Sequence, residues 1–215
     1  MNITMMQLIK ESKKENVWYL GNKVLYDLCS TYPDHKKDQE IIAKIHLIGR
    51  TYAAAIERRK DNKKKINDDF FIDVVLPKIK NSDIDKWFMY CRKNNDDSTI
   101  LTIHKNLVDL FNEISDLDKR SLASKYLHFH FPDLFYMYDS RAASSLGTLQ
   151  TILNMRIRVK NTTDPLYDPV YYKFFTKCKK LHTFIEEHYQ TTLTCREFDN
   201  ILIEIANEKL RNKTK

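Results

Sequence analysis

Asp139 stands in the stretch ASKYLHFHFPDLFYMYDSRAASSLG, residues 123–147, where a long apolar run gives way to Asp-Ser-Arg and a series of small residues. This change of composition predicts a helix opening at about Ser140, with Asp139 just before it. A carboxylate so placed accepts a hydrogen bond from the second or third backbone N–H of the helix, and the helix dipole favours its ionised form. A charged carboxylate held beside apolar sequence is what a reaction through a developing sugar cation needs. An Asp at a helix start is also an ordinary cap, so the surrounding residues decide between the two roles.

Other groups with chemical potential lie close by in sequence. Lys119 and Lys125 precede the acid, and their amines are the candidate covalent nucleophiles. His128 and His130 are two apart, so they leave a helix on different sides and do not form the i, i+4 pair of a zinc helix. His130 is read as a residue that reaches a base edge or is satisfied in the core. In NVWYLGNKVLYDLC, Trp18, Asn22 and Tyr26 recur every four residues. That spacing suits a packed face, and it also suits a pocket in which an amide pairs with the edge of an extruded base while an aromatic ring stacks on it. ERRKDNKKK, residues 57–65, carries six basic side chains against two acidic ones. With Arg50 and Tyr52 upstream, Arg58 and Arg59 are expected to extend a basic edge along one helix, as a phosphate backbone requires.

The elements that must position these groups read as helices. In DQEIIAKIHLIGRTYAAAIERR, Ile41, Ile45, Ile48, Tyr52 and Ile56 recur at three and four, which predicts a single helix of about six turns. The same periodicity runs through Trp18–Cys29, Phe70–Ile79, Ile84–Cys91, Ile100–Ile114, Leu117–Phe131, Val170–Tyr189 and Phe198–Leu210, and strand alternation is scarce. Ser82, Ser115 with Asp118, and Thr194 with Glu197 are the expected helix starts. The fold class is all-α with seven to nine helices. The chain is read as one compact unit with two lobes: residues 35–165, holding a hairpin-like motif at 115–147, and residues 1–34 together with 166–215.

Composition narrows the function. The 215 residues are 42% apolar and 12% aromatic, enough to fill a core, and the net charge of +7 favours polyanionic partners. Three glycines serve the whole chain, which leaves no glycine-rich loop to cradle a nucleotide and sets aside ATPase and dinucleotide-binding folds. Four scattered cysteines with no CxxC pair suggest neither a disulfide scaffold nor a zinc ribbon. No segment has the eighteen or so apolar residues of a membrane span, and the N-terminus lacks a secretory pattern. A reduced, cytoplasmic, monomeric protein without metal or cofactor is expected.

The stretch from Ala123 to about Leu146 resembles the helix-hairpin-helix DNA glycosylase superfamily, including its 8-oxoguanine-glycosylase-like branch. In that superfamily a small Ala on the second hairpin helix leads through an apolar-Pro-apolar segment to an Asp that opens the next helix. Here Ala123 precedes Asp139 by 16 residues, with FPDLFYMYD between and SRAASSL after. The resemblance implies a two-lobed helical fold with Asp139 as the catalytic acid. It departs at the hairpin itself, where ISDLDKRSLA has no glycine. Lys119, Arg120, Ser140 and Arg141 would then have to hold the DNA backbone at the helix ends. The lysine of lyase-active relatives falls two or three residues before the small Ala, at Ser121 or Arg120, which implies hydrolysis that leaves an abasic site.

On this reading the partner is double-stranded DNA carrying a modified or damaged base, which is flipped into a pocket formed by Trp18, Asn22, Tyr26 and His130. Excision of hypermodified phage bases, as antiviral defence, is one further expectation. A noncatalytic helical DNA- or RNA-binding module, with Asp139 purely structural, is the competing class. A helical protein-interaction subunit without nucleic-acid affinity is a third.

Overall fold

The computed structural model describes residues 3–15, 17–58 and 69–211, and within them the chain is all-helical, with no strand. In chain order the helices are α1 (Met5–Ser12), α2 (Val17–Thr31), α3 (Asp38–Thr51), α4 (Leu76–Lys80, entered through a π-helical turn at Phe71–Val75), α5 (Ile84–Lys93), α6 (Asp97–Ser115), α7 (Arg120–His130), α8 (Ser140–Ile152), α9 (Pro169–Tyr189) and α10 (Cys195–Arg211). Among the described residues ten α-helices exceed the expected seven to nine, because the periodicity left out the short α1.

One apolar core runs through all of them. α7 lies at its centre, packed by α2, α3 and α6, while α10 packs on α1 and α8. Leu122, Ala123, Tyr126 and Leu127 of α7 are fully buried, and the small Ala123 side chain leaves room for close packing of its neighbours. The N-terminal helix is fastened to the C-terminal pair by Lys13, whose Nζ donates to Thr191 Oγ1 and the Thr192 carbonyl, and by Asn200, whose amide donates to the Ser12 carbonyl. No helix among the described residues is long and apolar enough to cross a membrane.

Several local expectations change. The six-turn helix ends at Thr51, after 14 residues. Beyond it Ala53 takes a positive φ of 52° and the chain folds back, so that a Cβ on Gly49 would sit 3.2 Å from the Ala55 Cα. A side chain at position 49 would press on that return, and Ala54 N–H closes it by donating to the Gly49 carbonyl at 2.8 Å. Ser115 does not start a helix. It is the last residue of α6, with its hydroxyl bonded back to the Phe111 carbonyl at 2.8 Å. Asp116 then adopts the left-handed conformation, φ 55°, and α7 begins four residues later at Arg120. A short aspartate has taken the turn position usually held by glycine. Thr194 and Glu197 do form the expected reciprocal capping box, at 2.8 and 3.1 Å.

Candidate active site and adjoining cavity

Asp139 caps α8 as its sequence position requires: Oδ1 accepts from Ala142 N–H at 2.8 Å. Its other oxygen faces Lys125 Nζ at 3.5 Å, and a third of the side chain is open to solvent. The strand of chain leading to it is held against α7 by Ser124, whose hydroxyl accepts from Tyr138 N–H at 2.9 Å. Two consecutive residues of α7 therefore set the position of the carboxylate: Ser124 fixes the backbone before it and Lys125 faces its free oxygen.

Lys125 is almost wholly buried. Its ammonium donates to Ser121 Oγ at 2.9 Å and to the Tyr138 carbonyl at 2.8 Å, with Asp139 as the third neighbour. Burial lowers its pKa, and the charge of Asp139 acts in the opposite direction. Three acceptors for three protons describe an anchored cation that orients Asp139. Ser121 accepts one of those bonds.

A second carboxyl lies close by on α10. Asp199 is buried, pairs with Arg196 at 3.1 Å, and has a pKa raised to about 6 by burial, with Arg196 opposing and Asp139 adding to the rise. Lys125 Nζ and the Arg196 guanidinium carbon lie 5.8 and 6.0 Å from the centroid of the Tyr52 ring. Sequence reading passed over Asp199 and Arg196. The only signal for them was charge on the otherwise apolar face of an amphipathic helix, CREFDNIL.

Arg196 also forms part of the wall of a cavity of about 500 Å³ between α2, the end of α7 and the start of α10. Asn22, Tyr26 and His130 line it, with Tyr19 and Phe129 added. Trp18 is 58% exposed and does not line it. Asn22 is 3% exposed, and its Oδ1 accepts from Tyr52 Oη at 2.6 Å while its Nδ2 has no partner. His130 Nε2 is likewise buried and unpaired. His128 faces away, into the core. Its Nδ1 donates to the Phe135 carbonyl at 2.8 Å, so Nε2 accepts from Tyr26 Oη at 2.6 Å, and burial lowers its pKa to about 3. The cavity does not include Asp139. The two are linked through Arg196 and Asp199.

The expected phosphate contacts are redistributed. Lys119 Nζ donates to the Ala55 carbonyl at 2.9 Å and to that of Arg58, tying the α6–α7 turn to the segment after α3. Arg120 makes a two-pronged ion pair with Asp168, both contacts 2.7 Å, and Asp168 in turn caps α9 through Val170 and Tyr171 N–H. Both cations are occupied in holding the fold. Arg50 pairs with Glu57, Tyr52 is bonded to Asn22, and Arg58 lies past the helix end and donates to the Ala53 carbonyl. A continuous basic edge along α3 is therefore absent among the described residues, because the helix stops before the arginines. Arg59 lies outside the described residues. Ser140 and Arg141 are exposed at the start of α8, with Arg141 donating to Asn207 Oδ1 at 2.6 Å.

Among the described residues no group of three or more His, Cys, Asp or Glu side chains is arranged to hold a metal ion. No protein-family model, no curated protein and no solved structure matches the chain.

Proposed function

We propose that the protein is a DNA N-glycosylase that turns a modified or damaged nucleotide out of duplex DNA and hydrolyses its N-glycosidic bond. The observation that carries this reading is the Asp139 carboxylate, bonded through one oxygen to the start of α8 and presented through the other, partly open, beside an anchored ammonium. In the reaction the bond between the base nitrogen and C1′ breaks, and its electron pair leaves with the base. Asp139 stabilises the positive charge that develops on the sugar and accepts a proton from the water that attacks C1′. The proton taken from water passes to the departed base, which regenerates the carboxylate and leaves a free base and an abasic site. The cavity with its unpaired Asn22 amide supports a place for an extruded base, since an amide donor there lacks a partner that a base edge would supply.

Purified protein incubated with duplexes carrying oxidised, alkylated, deaminated and bulky modified bases should create alkali-labile sites on at least one of them. Asp139→Asn should create none. Equal cleavage by the variant would refute the role of the acid, and binding without cleavage on every duplex would favour a noncatalytic nucleic-acid-binding module. Phage restriction by the wild type but not by Asp139→Asn would extend the reading to defence against modified phage DNA, and equal plaque counts would remove that extension.

A further inference from the structure

α8 carries Asp139 at one end and a second feature at the other. After Ile152 the chain turns through Asn154, which holds a positive φ of 48°, and returns along α8 as a non-helical segment. Gln150 fastens that return: its Oε1 accepts from Ile157 N–H at 2.7 Å and its amide donates to the Leu146 carbonyl. Ile157 is buried while Arg156 and Arg158 on either side of it are exposed, so the two arginines leave the chain on the same side. Across from them Lys173 and Lys177 lie one turn apart on α9. The four cations line one open groove of about 890 Å³, to which Gly147 also contributes.

No carboxylate lines this groove, and among the described residues none pairs with any of its four cations. The neighbouring Lys179, by contrast, is paired with Asp97 at 2.5 Å. Lysines at i, i+4 repel one another and weaken the helix that carries them, so the arrangement costs stability in the absence of an anion. The spacing is also informative. Residues i and i+2 of an extended segment, and i and i+4 of a helix, set their Cβ atoms roughly 6 Å apart, a spacing from which long cationic side chains can reach successive phosphates along one nucleic-acid strand.

We propose that this groove binds the phosphate backbone of duplex DNA, as a contact separate from the Asp139 end of α8. It takes the place of the cations at the α6–α7 turn, which are occupied within the fold. The proposal does not depend on the glycosylase reading, since backbone contacts are made to any duplex, modified or not.

The test is the salt dependence of affinity for an unmodified duplex, measured by fluorescence anisotropy. Each phosphate contact contributes about 0.9 to the slope of log K against log salt, so reversing two cations should lower the slope by about 1 to 2 and weaken binding at least tenfold at low salt. Arg156→Glu with Arg158→Glu, and Lys173→Glu with Lys177→Glu, are the two charge reversals. Gly147→Glu is the third variant. A Cβ at Gly147 meets nothing within 4 Å, so a side chain can leave the helix there, and Gly147 lines the groove. Binding to an unmodified duplex involves no excision, which separates failure here from failure of the catalytic reading. Unchanged affinity and slope in variants with wild-type circular dichroism would overturn the proposal. So would a wild type that ignores duplex DNA and binds vesicles of anionic phospholipid.

Discussion

The two oxygens of Asp139 have separable jobs, and substitution can tell them apart. Oδ1 caps a helix and Oδ2 faces Lys125. Asparagine caps a helix about as well as aspartate but turns an uncharged amide toward the buried Lys125 ammonium, so Asp139→Asn should cost about 1 kcal/mol or more in urea unfolding through the lost charge pair, and Asp139→Ala about 1 kcal/mol further through the lost cap. Because the Lys125 ammonium is directed at three acceptors, borohydride treatment of the protein with its substrate should trap no covalent DNA adduct. An adduct that disappears in Lys125→Gln would show instead that the lysine acts as a nucleophile. Asp139 was legible in the sequence because capping is a local property of the chain. Asp199 and Arg196 were not, because their role arises only when α10 packs beside α8 and brings residues some sixty positions apart in the chain within electrostatic reach.

Among the elements, α7 was placed correctly and its surroundings less so. Its apolar face follows from periodicity, which survives tertiary packing. The cations before it were read as free because sequence shows charge but not its partner, and their hydrogen-bond partners come from residues 48 or more positions away in the chain. Arg120 and Asp168 illustrate the consequence. With Asp168 5% exposed, Arg120→Ala leaves a buried carboxylate unpaired and should destabilise the protein by about 3 kcal/mol, measured by urea unfolding at pH 7. The salt slope of DNA binding should stay unchanged. A stable Arg120→Ala variant with a reduced slope would return that arginine to the DNA interface. The early end of α3 has a similar origin. Apolar spacing continues through Ile56, and the return over Gly49 is a feature of backbone packing that side-chain periodicity does not register.

For the whole molecule, buried histidines dominate the acid response. His104 and His128 are fully enclosed, and burial lowers each pKa to about 3, below the unfolded value near 6.5. Their stabilising contribution is complete above pH 6.5 and is lost as pH falls toward 3, roughly 2 kcal/mol each between pH 7 and pH 5. Asp199 works in the other direction: its folded pKa, about 6, lies above its unfolded value, so its protonation offsets roughly 1 kcal/mol of that loss over the same interval. Unfolding free energy should therefore fall by a few kcal/mol from pH 7 to pH 5, and a flat or rising profile would contradict the burial of these rings. The all-helical class was readable from composition and periodicity. The groove of Arg156, Arg158, Lys173 and Lys177 was not, because it joins a loop and a helix that composition reads as unrelated.

The most direct measurement is single-turnover excision on the duplex the wild type cleaves best, with binding to that duplex measured in parallel for wild type and Asp139→Asn. Excision should fall by about a hundredfold or more while affinity stays within about twofold, the pattern expected when charge stabilisation in the transition state is removed and ground-state contacts remain. Excision that persists at the wild-type rate in Asp139→Asn would contradict the account.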